Sequence, residues 1–242
     1  MSNREKVVVL AGGKGSRIQR GDSPPKPLTP IGGKPIIGHV IDGFARQGFA
    51  DFIVALGHFK GAMRAFFSQQ QSPVSIVPVD TGENTDTGGR VFRLKYLLEE
   101  ETFILAWCDG VWDVDLSDLL RFHRAHKRIA TVVTVQPRLP YGLLGLNGDQ
   151  VTSMIEKPRL DDVWVSAGIF VLEPEIFDHL TSDDASWEVD TLPLLAAKNE
   201  LMAYRHHGFW QSMDTLKDAE LLNDIWEGGN AQWLQISKRG RA

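Results

Sequence analysis

The sequence predicts an α/β fold with a mixed, mostly parallel central sheet. Two observations lead to this prediction. Short apolar runs typical of buried strands alternate with amphipathic segments typical of helices, and they follow one another at the spacing of βαβ units. Right-handed crossovers between such strands give a parallel sheet with helices packed against it.

The N-terminal half supplies most of the predicted sheet. Strands are expected over 7–10, 51–56, 74–79, 102–107 and 130–136, and helices over 35–47, 61–67, 88–98 and 116–126. The helix over 35–47 has an apolar face made of Ile36, Ile37, Val40, Ile41 and Phe44. This face predicts that the helix packs onto the sheet.

The pattern changes after residue 142. Shorter strand-like runs at 151–155 and 163–172 are separated by turn residues, which indicates an antiparallel or mixed half that covers the sheet edge. Two further helices are expected near 192–198 and 217–226. We expect a single domain over 1–236, with halves of about 1–135 and 136–236, followed by a polar tail over 237–242.

Composition excludes several classes of protein. The formal net charge is -5, with 31 acidic against 26 basic side chains, which argues against a general nucleic-acid binder. A single cysteine, Cys108, excludes an internal disulfide framework and a multi-cysteine zinc site. The first apolar run is too short for a signal peptide or a membrane span, so we expect a cytoplasmic protein without a membrane partner.

A glycine-rich loop follows the first predicted strand. Its glycines permit a tight turn and let backbone N–H groups approach phosphate oxygens without a Cβ in the way. The glycines are Gly12, Gly13 and Gly15, and three cationic side chains accompany them, Lys14, Arg17 and Lys26. The spacing fits neither a Walker A loop nor a dinucleotide-binding loop. The loop therefore predicts phosphate binding, with an ordinary βα turn as the alternative.

Two aspartates are candidate metal ligands. Asp109 ends a predicted buried strand, where ligands bind in open α/β sheets, and Asp214 lies far along the chain. Two carboxylates with phosphate oxygens suit Mg²⁺. Alternatively, Asp109 caps a loop and Asp214 caps the following helix. Asp113 and Asp115 are expected to be solvated or to cap helices.

The residues from Leu10 to Arg17, followed by Pro25-Lys26-Pro27-Leu28, resemble the L-A-G-G-x-G-T/S-R and P-K-P signature of sugar-nucleotide pyrophosphorylases. The resemblance implies their Rossmann-like three-layer α/β/α fold, the nucleotide-diphospho-sugar transferase fold. It implies that Arg17 polarises the α-phosphate and that Lys26 contacts the phosphates of both substrates. It assigns the nucleotide to Leu10, Ala11, Gly12, Gly13, Lys14, Gly15, Ser16 and Asp109. It also favours Asp109 and Asp214 as ligands of Mg²⁺.

The polar segment from Asp80 to Arg90 is by itself only a loop. It resembles the D-T-G-x-x-x-x-T-G-G-R segment of the glucose-1-phosphate cytidylyltransferases, which implies CTP as the nucleotide. By this resemblance Thr81, Thr87 and Gly88 contact the nucleotide.

Downstream motifs resemble the sugar site of the same family. The resemblance assigns the sugar phosphate to Gly142, Glu156, Lys157 and Gly168, although Glu156-Lys157 before a proline could also be a surface pair. Ser166-Ala167 replaces the usual asparagine-containing pair, which leaves a sugar other than glucose open as an alternative. The chain also lacks a long insertion between residues 67 and 80, so the hexamer of the family is in doubt while a homo-oligomer stays open.

These features together predict an enzyme of the sugar-1-phosphate nucleotidyltransferase class. It would transfer a nucleotidyl group from CTP to glucose-1-phosphate and release pyrophosphate, with Mg²⁺ as cofactor and no nucleic-acid partner. One alternative uses UTP, dTTP or another phosphorylated acceptor. The others are a glycosyltransferase on a similar fold and a non-catalytic nucleotide-binding regulator.

Overall fold

The computed structural model describes residues 4–15, 18, 23–69 and 72–237. Its strands are β1 Val7–Ala11, β2 Pro30–Ile31, β3 Lys34–Pro35, β4 Asp51–Leu56, β5 Ser75–Asp80, β6 Phe103–Trp107, β7 Gly110–Trp112, β8 Ala130–Val135, β9 Leu143–Asn147, β10 Gln150–Ile155, β11 Val165–Leu172, β12 Leu201–Arg205 and β13 Trp210–Ser212. Its helices are α1 Ile36–Ala45, α2 Lys60–Gln69, α3 Thr87–Phe92, α4 Lys95–Leu98, α5 Leu116–His126, α6 Leu192–Ala197 and α7 Leu216–Glu227. Ser16, Arg17 and residues 238–242 of the predicted tail lie outside the described residues. Within those ranges, no helix has the length and apolarity that crossing a membrane requires.

The central sheet has the strand order β12-β8-β11-β6-β1-β4-β5. Strand β1 pairs in parallel with β4 and β6, whereas β11 is antiparallel to both of its neighbours. The prediction of a mixed, mostly parallel sheet is therefore confirmed. The expectation that the later strands cover the sheet edge is wrong for β11, which lies inside the sheet. Its apolar, almost wholly buried sequence requires cover on both faces.

Helices pack against both faces of this sheet. Successive side chains of a strand point to opposite faces, so Val7 and Val9 of β1 join one apolar cluster while Val8 and Leu10 join another. The first cluster includes side chains of α1 and α5, and the second includes side chains of α3 and α6. The molecule is thus the expected three-layer α/β/α sandwich.

Most predicted helices are present near their expected bounds, and α5 matches them. The helix expected over 88–98 is instead two short helices, α3 and α4. At their junction, the amides of Leu94 and Leu97 donate to carbonyls three residues back, those of Val91 and Leu94, which tightens the chain and interrupts the α-helix. Strands β12 and β13 were not predicted.

Two buried histidines predict that the protein loses stability in mild acid. His39 and His123 are 3% and 1% exposed, and burial lowers the pKa of both. The folded state therefore binds protons less readily than the unfolded chain. The histidines should not reduce the free energy of unfolding above about pH 6.5. At lower pH this free energy should fall by up to about 1.4 kcal/mol per histidine per pH unit.

Urea unfolding at about pH 7.5 and 5.5 measures this difference. His39→Gln should reduce the pH dependence, because the glutamine cannot titrate. His58→Gln is the matched control at an exposed position and should leave the dependence unchanged. An unfolding free energy that is equal at both pH values would contradict the prediction.

Candidate active site

A cavity of about 340 Å³ opens beyond the carboxyl ends of β1 and β6. Residues 10–15, which continue from β1, form one wall together with Lys26. Asp109 and the segment 85–87 also line the cavity. Because β1 and β6 are neighbouring parallel strands, the loops that follow them emerge side by side. The sheet therefore places the glycine loop next to Asp109.

The glycine loop allows close approach of neighbouring groups. Gly15 has a φ of +62°, and a Cβ added there would lie 2.9 Å from Cβ of Lys26. A Cβ added at Gly12 would lie 2.3 Å from the guanidinium carbon of Arg90. Larger residues would therefore strain the loop and displace two cationic side chains of the cavity wall.

Lys26 lies between the two candidate metal ligands. Its Nζ is 2.5 Å from Oδ2 of Asp109 and 2.9 Å from Oδ1 of Asp214. The side chains of Lys26 and Asp109 are only 14% and 18% exposed. Burial lowers the pKa of Lys26, but the two carboxylates outweigh burial and the net shift is upward. Lys26 is therefore a cation at neutral pH, shared by two carboxylates that are far apart in sequence.

Contacts made by the two preceding residues fix the position of Asp214. The amide of Met213 donates to the carbonyl of Asp109 at 2.9 Å, and the hydroxyl of Ser212 donates to Oδ2 of Asp214 at 3.1 Å. Thr215, not Asp214, caps α7, and it does so in a capping box with Asp218. The alternative interpretation of Asp214 as a helix cap is therefore wrong.

Arg90 joins the glycine loop to the segment after β5. Its guanidinium donates to the carbonyls of Gly12 at 3.1 Å and Gly82 at 2.6 Å, and to Oγ1 of Thr81 at 2.9 Å. Arg90 is 5% exposed, and burial lowers its pKa. Its described hydrogen-bond acceptors are neutral, so a buried positive charge lies in the cavity wall.

Two residues assigned to the nucleotide do not line the cavity. Thr81 is fully buried, and its hydroxyl donates to the carbonyl of Leu56. Gly88 packs against the carbonyl of Ala185, which would lie 2.7 Å from an added Cβ. Thr81 and Gly88 therefore lie behind the residues that line the cavity, whereas Thr87 is one of those lining residues.

The sequence matches the family described as nucleotidyl transferase over residues 6–222. The chain belongs to this family. The glucose-1-phosphate cytidylyltransferase of Salmonella typhimurium is 36% identical, over 94% of this chain and 98% of that one. The probable glucose-1-phosphate cytidylyltransferase of Bacillus subtilis is 32% identical with the same coverage. These relatives place the nucleotidyltransferase among the enzymes that act on sugar-1-phosphates.

Solved structures share the fold of this nucleotidyltransferase. HddC from Yersinia pseudotuberculosis superimposes with a TM-score of 0.72 at 22% identity, covering 92% of this chain and 99% of that one. A UDP-glucose pyrophosphorylase complexed with UDP-glucose gives a TM-score of 0.72 at 17% identity, covering 93% and 99%. At these identities the likeness concerns the fold alone.

The residues assigned to the sugar phosphate form two groups. Gly142 and Glu156 lie together at the base of the β9–β10 hairpin, since a Cβ on Gly142 would be 3.3 Å from Oε2 of Glu156. Gly168, with a φ of +74°, packs against Trp107 of the cavity wall. Glu156 and Lys157 are exposed. Among the described residues, no hydrogen bond or ion pair links either one to Lys26 or Asp109, so their roles stay predictions.

Two features of the nucleotidyltransferase were not predicted from its sequence. The role of Arg90 was not predicted, although it ends the Thr-Gly-Gly-Arg motif. Asp113 was expected at the surface or as a cap, but it is largely buried: its Oδ1 accepts from the amide of Phe209 at 2.7 Å and lies 2.8 Å from Nε2 of His206. Asp115 does cap α5, as predicted.

Proposed function

We propose that this nucleotidyltransferase transfers the cytidylyl group of CTP to a sugar-1-phosphate, with glucose-1-phosphate as the first candidate, and releases pyrophosphate. The observation that carries the proposal is the contact of Lys26 with Asp109 and Asp214 at the mouth of the glycine-loop cavity. CTP is favoured by the two glucose-1-phosphate cytidylyltransferases described above, which are 36% and 32% identical, and by the Thr-Gly-Gly-Arg segment beside the cavity.

The reaction needs no covalent enzyme intermediate. An oxygen of the acceptor phosphate, already ionised at neutral pH, forms a bond to the α-phosphorus of CTP. The bond from that phosphorus to the bridging oxygen breaks, and pyrophosphate leaves with the electron pair. Lys26 would stabilise the negative charge on the phosphates, and the glycine-loop amides would orient them. The buried Cys108 is not a nucleophile in this scheme, because burial raises the pKa of its thiol.

Asp109 and Asp214 fit a divalent cation. Carboxylates from two distant segments meet at one positively charged nitrogen, and carboxylate oxygens are the ligands that Mg²⁺ prefers. We propose that these two residues hold Mg²⁺ together with the triphosphate. When bound, Mg²⁺ would neutralise charge on the phosphate oxygens. Arg17, which lies outside the described residues, is proposed to contact the α-phosphate.

A pyrophosphate-release assay tests the proposal. CTP, UTP, dTTP and GTP are each combined with several sugar-1-phosphates, and CTP should give a kcat/KM at least about tenfold above the others. Asp109→Asn should remove most of the turnover with every pair. A preference for another nucleotide would overturn the CTP assignment. NDP-sugar consumption without pyrophosphate release would indicate a glycosyltransferase instead.

A further inference from the structure

A second cavity, of about 820 Å³, lies beside the candidate active site, between β13, the end of β8 and α7. None of the described residues assigned to the nucleotide, the metal or the sugar phosphate lines it. Its lining includes Ser212, whose hydroxyl contacts Asp214. The lining also includes Arg159, two residues after Lys157. The cavity therefore adjoins the candidate metal ligand Asp214 through Ser212, and its lining includes a near neighbour in sequence of Lys157, which was predicted to contact the acceptor.

Two arginines face each other at the rim of this cavity. Arg138 and Arg159 pair through an isolated antiparallel β-bridge, which brings their Cβ atoms to about 5 Å. Both are exposed, and within the described ranges neither forms an ion pair. Like charges placed directly opposite each other destabilise a strand pair. An anionic ligand that contacted both guanidinium groups would remove this repulsion.

The rest of the lining leaves this positive charge uncompensated. Asp113 is the one carboxylate among the described lining residues, and its Oδ1 already contacts His206 and the amide of Phe209. His207 also lines the cavity. Its ring packs edge-on against the ring of Trp164 at 5.2 Å. A chain with a net charge of -5 thus holds two arginines with no described ion-pair partner next to its candidate active site.

We propose that this cavity binds an anionic group, a phosphate or a carboxylate, that the acceptor carries in addition to its reacting phosphate. The inference rests on the proposed function, because it extends the acceptor end of that site. Ser166-Ala167 agrees with it: the pair offers no side-chain amide for a neutral sugar hydroxyl. The preferred acceptor would then be a sugar-1-phosphate with a second negative group.

Acceptor comparison tests the inference. Glucose 1-phosphate, glucose 1,6-bisphosphate and glucuronic acid 1-phosphate are assayed with CTP by pyrophosphate release, so that a second phosphate and a carboxylate are separate arms. At least one anionic acceptor should exceed glucose 1-phosphate by about tenfold in kcat/KM. In the double variant Arg138→Gln, Arg159→Gln this ratio should fall about tenfold, and salt should also lower it. Arg64→Gln, an exposed arginine on α2, is the control and should leave the ratio unchanged.

Equal use of all three acceptors, or a ratio that the double variant does not change, would overturn the inference. So would an effect of free inorganic phosphate on the rate with glucose 1-phosphate that depends on these arginines, since the cavity would then be an effector site. If no acceptor releases pyrophosphate, the proposed function has failed. Calorimetry of glucose 1,6-bisphosphate with the wild-type protein and the double variant still decides the inference, because equal affinity for both proteins would contradict it.

Discussion

Lys26→Met is expected to reduce kcat/KM for pyrophosphate release by about 10²–10³. Methionine preserves much of the length of the side chain but removes its charge. Lys26 is the cation that both Asp109 and Asp214 contact, at 2.5 and 2.9 Å. Without it, the phosphates lose a positive partner and the two carboxylates face each other without compensation. Steady-state assays with CTP and sugar-1-phosphate measure the loss.

The same variant separates a role in charge balance from a role in packing. Removing one partner of a largely buried ion pair should lower the stability by on the order of 1–3 kcal/mol. Mn²⁺ or Mg²⁺ should then raise the Tm of Lys26→Met more than that of the wild-type protein, because a divalent cation can replace the lost ammonium.

Lys34→Met is the matched control. Lys34 forms a half-exposed pair with Asp42 on α1, away from the cavity. Surface pairs contribute about 0–1 kcal/mol, so this variant should keep its activity and show no metal-dependent change in Tm. Turnover of Lys26→Met within about twofold of wild type would contradict the assignment of Lys26.

The sequence predicted the place of Asp109 better than that of Asp214. Asp109 follows a long apolar strand, and the carboxyl ends of parallel strands are where ligands bind, so its location follows from local pattern. Asp214 reaches the same site only because β13 pairs with β7. Strand β13 has three residues and no apolar alternation, so no local pattern indicates this pairing. The family resemblance supplied what periodicity could not.

In the fold, too, features set by local pattern were predicted and features set by long-range pairing were not. Long apolar runs such as β1 and β4 were predicted because burial on both faces leaves a clear pattern. Strand β12 was not predicted, because it lies at the edge of the sheet and its five residues include exposed ones. The position of β11 between β6 and β8 depends on pairing between strands that are far apart in sequence, and no local sequence pattern indicates such pairing.

Arg90→Met is expected to lower the unfolding free energy by about 3–5 kcal/mol, because it removes a buried donor group from several carbonyls at once. The carbonyls of Gly12 and Gly82 would lose their guanidinium partner, and so would the hydroxyl of Thr81. Those contacts hold the glycine loop against the segment after β5. The KM for the nucleotide should therefore rise by about tenfold or more, with a smaller change in kcat.

Arg93→Met separates this effect from the loss of any arginine near α3. Arg93 lies three residues along the chain and is about half exposed; its guanidinium pairs with Asp183 at 2.6 Å and donates to the carbonyl of Thr81 at 3.1 Å, but none of its described contacts reaches the glycine loop. Surface pairs contribute about 0–1 kcal/mol, so Arg93→Met should be only slightly destabilised and should keep its nucleotide KM. Arg90→Lys restores the charge and one donor group without the planar fork, so it should recover only part of the KM. If Arg90→Met and Arg93→Met lost equal stability and bound nucleotide equally well, Arg90 would have no special role. A loss confined to Arg90→Met would indicate that a buried guanidinium couples the glycine loop to the segment after β5.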